Sequence, residues 1–286
     1  MTERLGLIAG NGALPESLAI EAKKLGLEVF AVGHQGETLP SLASIVSAYT
    51  SVQVGQLGRI IKFFKHHKVT QAVMLGGITK ATRLLSLRPD WRGVKLLARL
   101  KFRGDDALLR AIADEFQKEG ITIVSAAEYL KSCLAPAGLI SARPLSEAEK
   151  MDAVLGWNVA KQIGQLEIGQ TVVTCKGVVI AVEAIEGTDA AIRRAGELTS
   201  QNSDRHKSQA WSATNSGLVV VKTSKPGQDM RLDIPTVGIA TLNILKQAGV
   251  SALVLEAEHC FIQDPITFKQ MADAMGIAVE GWCKAC

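Results

Sequence analysis

The sequence predicts an α/β protein: a doubly wound parallel sheet followed by a distinct second α/β domain. Three observations carry that expectation. Short apolar runs alternate with helix-length amphipathic stretches from Leu5 to Val124. A Pro- and Gly-bearing stretch without periodicity, Ala135 to Ser146, then interrupts the pattern. Apolar runs resume beyond it, two of them joined by Lys176-Gly177 as in a tight hairpin.

In chain order, Leu5–Ala9, a helix over Glu16–Leu25 and Glu28–Val32 form a βαβ opening. Ser51–Val54, a helix at Leu57–His66 and the buried-strand pattern Gln71–Leu75 continue it. Asp105–Glu119 reads as a helix before the strand Thr122–Val124. Strands separated by helices of this length make a parallel sheet, whose ligands sit at the carboxyl ends of its strands. The first domain is therefore assigned to residues 1–134, the linker to 135–146 and the second domain to 147–286. The second holds a helix at Glu147–Ile163, strands at Thr171–Cys175, Val178–Ala184, Leu218–Lys222, Ala252–Leu255 and Ile277–Glu280, and a polar loop at Thr199–Asn215.

At 286 residues and 47% hydrophobic content, the chain can bury a large core without metal or disulfide. Met1–Arg4 lead into an apolar segment without the tripartite pattern of a secretory signal, so a cytoplasmic location is expected. No apolar stretch reaches the roughly 20 residues that cross a bilayer. Five cysteines, an odd number, suit a reduced intracellular chain, and the terminal pair Cys283/Cys286 offers only two thiolates for a metal. A net charge of +4 without an aromatic-rich basic motif gives no support to nucleic-acid binding.

The first strand ends in Gly10-Asn11-Gly12-Ala13-Leu14-Pro15, where glycines permit close backbone approach and Pro15 suits a first helical turn. Its free amides and the helix dipole can face an anion, or the segment can be a plain strand-to-helix turn. It lacks the Gly-Lys-Ser/Thr of a phosphate loop, and Pro15 replaces the third glycine of the dinucleotide fingerprint. Gly76-Gly77, after the strand Gln71–Leu75, is a candidate second wall of the same crevice. Asp105 and Asp106 can each cap a helix or point toward a ligand.

Between these, Lys80 to Arg103 interleaves eight cations with leucines, Trp91 and Phe102 against the single acid Asp90. Two readings stand side by side: a surface for anionic lipid headgroups, and a helix pair packing its leucines on the core. In the second domain, Thr188 and Asp189 can cap a helix whose amides hold phosphate, with Glu183 and Glu186 nearby. Lys222, Lys225, Asp229, Arg231 and Asp233 follow before Ile234-Pro235. Asp233, flanked by apolar residues, is the preferred metal ligand or general base, and a loop aspartate bonding its own backbone is the alternative. The chain has no H-E-x-x-H, G-x-S-x-G or kinase signature, and its five histidines lack the spacing of a dimetal phosphatase.

The segments LGLIAGNGALP, GDDALLR, IGQ, EGTDA and RLDIPTVGIATL, in that order along nearly the whole chain, resemble the LpxI-type UDP-2,3-diacylglucosamine pyrophosphatase family. The resemblance implies an N-terminal Rossmann-like domain, a distinct C-terminal α/β domain and a lipid substrate in the cleft between them. It also implies Mg2+-dependent hydrolysis of UDP-2,3-diacylglucosamine to 2,3-diacylglucosamine 1-phosphate (lipid X) and UMP, water attacking the sugar-side phosphorus. Such an enzyme works in lipid A synthesis from the cytoplasmic side, peripheral to the inner membrane and against its anionic surface. The essential aspartate of the family falls on Asp233. Gly10 to Gly12, Gly104-Asp105-Asp106 and Thr188-Asp189 fall where the family lines its cleft, and Lys222, Lys225 or Arg231 can supply the positive charge for the substrate phosphates. The stretch 199–215 and the tail 283–286 depart from the family pattern. The alternatives are a nucleotide-binding oxidoreductase, weakened by Val32-Gly33-His34 where an acid should end the second strand, and a non-catalytic lipid- or nucleotide-binding protein. Acyl-chain length, metal count and oligomeric state are left open.

Overall fold

A computed structural model describes residues 3–79, 88–99, 105–205 and 217–283, of which 99, 105 and 201–205 are described by main chain alone. It divides into two compact units, one of residues 1–131 with 229–233, the other of 132–228 with 234–286.

The first unit is built on five parallel strands: β1 (Arg4–Ala9), β2 (Glu28–His34), β3 (Ala48–Val52), β4 (Gln71–Leu75) and β5 (Thr122–Ile123). Their order, β3-β2-β1-β4-β5, reverses between β1 and β4, which makes the carboxyl ends of those two strands the topological switch point. This is the Rossmann-like doubly wound arrangement expected from the sequence. The helix Leu14–Lys24 starts two residues earlier than the sequence pattern suggested, because Pro15 occupies its first turn. In the helix Leu57–His66, Leu57, Ile60, Ile61 and Phe64 are buried at the spacing of a single helical stripe. Phe64 and Phe116 meet in a core shared with Ile8, Phe30 and Val32.

The basic stretch is described only in part; Lys80 to Leu87 and Leu100 to Gly104, including Arg83, lie outside the described residues. A helix, Trp91–Arg99, buries Leu96 but leaves Trp91 80% and Val94 44% exposed. The lone acid Asp90 accepts from the amides of Gly58 at 2.7 Å and Gly93 at 3.0 Å, so one carboxylate satisfies donors at the starts of two helices.

The second unit holds a six-stranded sheet in the order β6-β13-β11-β9-β7-β8. Its strands are β6 (Gly138–Leu139), β7 (Thr171–Cys175), β8 (Val178–Val182), β9 (Leu218–Lys222), β11 (Val250–Glu256) and β13 (Ala278–Trp282); β10 (Thr236–Val237) and β12 (Phe261–Ile262) pair separately. β9, β11 and β13 are parallel, while β7 runs antiparallel to β9 and β8. The β7–β8 turn is the tight hairpin read from Lys176-Gly177: both residues have positive φ, and the buried Asp152 accepts from their amides at 2.7 and 2.6 Å.

Three sequence readings are revised here. The stretch 135–146, read as a linker, is tied into the second unit. Gly138–Leu139 pair with β13, and Arg143 donates to Glu149, Ser251 and Gly276. Residues 199–205 continue the helix Thr188–Arg205 instead of opening a loop, since Ala191, Ile192 and Ala195 anchor a stripe from which a polar turn propagates at little cost. The remainder of the expected loop, 206–215, lies outside the described residues, as does Cys286. Asp229–Asp233 belongs to the first unit although the sequence assigned it to the second domain. Leu232 is buried in the first core, and Ser125 Oγ donates to the Met230 carbonyl at 2.8 Å.

Candidate active site

At the switch point of the first unit, the two glycine turns read from the sequence come together. The Gly10 amide donates to Leu75 O and the Asn11 amide to Gly77 O, each at 2.8 Å. A Cβ on Gly10 would lie 2.3 Å from the Gly77 carbonyl oxygen, and one on Gly76, at φ +92°, would lie 2.5 Å from that of Asn11. Only glycines allow the turns to approach so closely. The approach uses the amides of Gly10, Asn11 and, through Asn11 Oδ1 at 3.2 Å, Gly77. Those of Gly12, Ala13 and Leu14 have no protein acceptor among the described residues and begin the helix, where an anion is favoured.

The sequence reading missed Glu37. It is 7% exposed, and its Oε2 accepts from Asn11 Nδ2 at 3.0 Å and from the Thr79 amide at 3.1 Å. Its Oε1 accepts from Thr79 Oγ1 at 2.7 Å. An acid therefore does stand beyond the end of β2, three residues later than a dinucleotide site would have it. Three protein donors already engage its oxygens, which weighs against a ribose-binding role. Beside it, burial holds the His34 imidazole below its ordinary pKa, against the pull of the Ala9 carbonyl and the Glu37 charge. His34 lines an apolar pocket of about 280 Å3 with Ile8, Met74, Leu96, Leu97 and Ile112.

Asp106 stands partly exposed in the first turn of the helix Asp105–Lys118, while the side chain of Asp105 lies outside the described residues. The segment Asp229–Asp233 has Arg110 and Asp114 of that helix as electrostatic neighbours. Within the segment Arg231 clasps Asp229 through Nε at 2.9 Å and Nη2 at 2.7 Å, and that bond lowers the Asp229 carboxyl below the usual range. The Asp233 side chain is exposed, and its amide donates to Asp229 O at 3.3 Å. The five-residue cation and acid cluster of the sequence is thus divided: Asp229, Arg231 and Asp233 lie in the first unit, Lys222 and Lys225 in the second.

In the second unit, Lys222 ends β9, is 6% exposed, and donates to Thr188 Oγ1 at 3.0 Å. Thr188, at the start of its helix, donates in turn to Glu183 Oε1 at 3.0 Å. Among the described residues no carboxylate lies within 4.0 Å of the Lys222 ammonium. A buried cation held only by a hydroxyl is suited to an incoming anion. Asp189 lies in the same first turn, and Glu186 is drawn off by Arg194 at 2.7 Å. At the end of β11, Glu256 receives Lys161 Nζ at 2.6 and 2.7 Å and both the amide and hydroxyl of Ser224 at 2.7 Å. Burial pushes its carboxyl up, but these donors outweigh that and hold it below the ordinary value. Lys161 and Glu256 escaped the sequence reading; the acid closing the apolar run Ala252–Leu255 was the available signal.

A doubly wound sheet with paired glycine turns at its switch point, and a mixed sheet with a buried lysine ending one of its strands, define a two-unit α/β protein. The comparison of sequences makes this specific. The chain belongs to the LpxI family: the model of the LpxI N-terminal domain matches residues 4–133 and that of the C-terminal domain residues 136–280. It is 35% identical over 281 residues, 97% of either chain, to a protein of Caulobacter vibrioides named UDP-2,3-diacylglucosamine pyrophosphatase LpxI. Solved structures resemble it only slightly. The enzyme WbmG of Bordetella bronchiseptica, in complex with NAD and UDP, is 16% identical over 42% of this chain and 36% of its own, at a TM-score of 0.28. The pyruvate carboxylase of Rhizobium etli is 12% identical over 59% of this chain and 14% of its own, at 0.29. Neither likeness carries an argument.

Proposed function

We propose that this chain hydrolyses the pyrophosphate of UDP-2,3-diacylglucosamine, releasing 2,3-diacylglucosamine 1-phosphate (lipid X) and UMP in lipid A synthesis. The near full-length relation to a protein of that name carries the reading. The chemistry of the two units supports it. The uncommitted amides at Gly12 to Leu14 and the buried Lys222 ammonium suit phosphate oxygens, and the pocket walled by Ile8, Met74 and Leu96 suits an acyl chain. His34, kept neutral by burial, leaves that pocket uncharged near neutral pH.

Magnesium belongs to the same reading. Among the described residues no group of three or more His, Cys, Asp or Glu side chains gathers to hold a metal. The donor set fits magnesium in the other way common for this ion, one carboxylate completed by substrate phosphates and water, with Asp233 as that carboxylate. A bound magnesium would neutralise the pyrophosphate charge as it builds on the leaving oxygen. Asp233 either ligates it or accepts the proton of the attacking water, two tasks that a pH–rate profile with and without metal separates. Lys222 holds phosphate charge, and Thr188 fixes its ammonium.

The protein works on the cytoplasmic side, peripheral to the inner membrane. Trp91 and Val94 stand exposed beside Lys95, a combination that suits anionic headgroups, while Arg92 is taken up by Glu119 at 2.6 Å, and no described helix is long and apolar enough to cross a bilayer. The test of function is turnover of UDP-2,3-diacylglucosamine by the purified protein in oxygen-18 water, with and without magnesium. Magnesium-dependent release of UMP with label in the lipid phosphate is expected. A folded protein without turnover would return the chain to the class of binding proteins.

A further inference from the structure

We propose that Glu37 is a positioning residue for the first unit's anion-binding turn, acting through Asn11 and Thr79; the inference rests on the function proposed above. The contribution of Glu37 lies in the geometry it imposes on the turn. The geometry is specific. One Glu37 oxygen takes the Asn11 side-chain amide at 3.0 Å and the Thr79 main-chain amide at 3.1 Å, and the other takes the Thr79 hydroxyl at 2.7 Å. Asn11 is then fixed at its other end, where its Oδ1 accepts from the Gly77 amide. Glu37, arriving from the loop after β2, thus braces the turn after β1 against the turn after β4. The Asn11 side chain is engaged at both ends, so it holds the turn in place and leaves ligand contact to the main chain at Gly12 to Leu14. Bonds to a buried charged acceptor are the strong kind, and their geometry is pre-set before any ligand arrives.

Steady-state kinetics on UDP-2,3-diacylglucosamine, with melting curves as a control for folding, test this on the full chain. Glu37→Ala is expected to raise KM about tenfold while kcat changes by less than about threefold, in keeping with the loss of hydrogen bonds to a charged group. Glu37→Gln is expected to hold KM within about threefold, since its oxygen can accept from Asn11 and the Thr79 amide while its NH2 donates to the Thr79 hydroxyl. The double variant Asn11→Ala/Glu37→Ala is expected to be no worse than Glu37→Ala, because both act on one brace. A wild-type KM in Glu37→Ala, multiplicative losses in the double variant, or Glu37→Gln as impaired as Glu37→Ala would each overturn the proposal. Should Glu37→Ala fail to fold, Thr79→Val decides: Thr79 is exposed and the change removes its hydroxyl bond to Glu37, so an unchanged KM there is equally fatal. Absence of turnover by the wild type overturns the functional reading and this role with it, whereas wild-type turnover with unaltered variants removes the role of Glu37 alone.

Discussion

Arg143 and Glu149 face each other through two parallel hydrogen bonds, Nη1 to Oε2 at 2.8 Å and Nη2 to Oε1 at 3.0 Å, which tie a stretch whose composition reads as linker to the helix that follows it. Glu149 is 4% exposed and also completes the capping box with Ser146 at the head of the helix Glu147–Gln165. Burial pushes its carboxyl up, but the Arg143 and Ser146 bonds prevail and bring it from 4.5 to about 2.

A depressed carboxylate contributes stability that is fully present above its unfolded pKa and is lost as pH falls through the folded one. The difference in melting temperature between wild type and Glu149→Gln should therefore be constant above about pH 5 and shrink steadily toward pH 2. Its plateau corresponds to on the order of 2 kcal/mol, allowing for the solvent that reaches Arg143. A gap independent of pH would show that Glu149 titrates no differently in the folded chain.

Lys161→Ala should be more damaging than its position in a helix suggests. It strands Glu256 in a buried site with only the Ser224 donors, and breaking such a pair typically costs about 3 kcal/mol. Urea denaturation measures this, and Lys161→Ala/Glu256→Gln should recover part of the loss.

Gly10→Ala puts a methyl 2.3 Å from main-chain oxygen, which cannot swing aside as a side chain would. A loss of about 1–3 kcal/mol in denaturant unfolding is expected from the overpacking, with a larger drop in turnover because the glycine turns must part. Gly12→Ala, whose Cβ would meet nothing within 4 Å, should pay only the strain of its positive φ and keep the two turns in contact.

Lys222→Met is expected to lower kcat/KM about a hundredfold while leaving the melting temperature equal or higher, since it removes a buried charge that has no carboxylate within 4.0 Å among the described residues. Thr188→Ser should retain most activity and Thr188→Val should not, because the hydroxyl is what holds the ammonium. Kinetics paired with calorimetry separates this from a simple loss of fold.

Asp233→Asn should fold as the wild type does, its side chain being exposed, and lose turnover by about three orders of magnitude or more if it serves as ligand or base. Near-normal activity in the folded variant would remove Asp233 from the chemistry.

What the sequence made legible was local. An apolar run ending in glycines announces β1 and its turn, and Lys176-Gly177 between two apolar runs announces a hairpin, because each depends on neighbours in the chain. Glu37 could not be read in this way: its partners Asn11 and Thr79 lie 26 and 42 positions away, and only the folded sheet brings them near. Lys161 and Glu256, 95 positions apart, are hidden for the same reason. Thr199–Arg205 misled through composition, since a run of Thr, Ser, Gln and Asn reads as loop when the apolar residues that anchor its helix lie earlier in the chain. The assignment of Leu232 to the first core has no local signature at all.

That assignment has a consequence for synthesis at the ribosome. The first unit's sheet is complete by residue 123, yet the segment carrying Leu232 emerges about 100 residues after the unit's main stretch has ended. At ordinary elongation rates the delay is about 5–20 s, long compared with the folding of a small domain. For that interval the seat of Leu232 stands open on a nascent chain, so the first unit to be made is among the last to be finished.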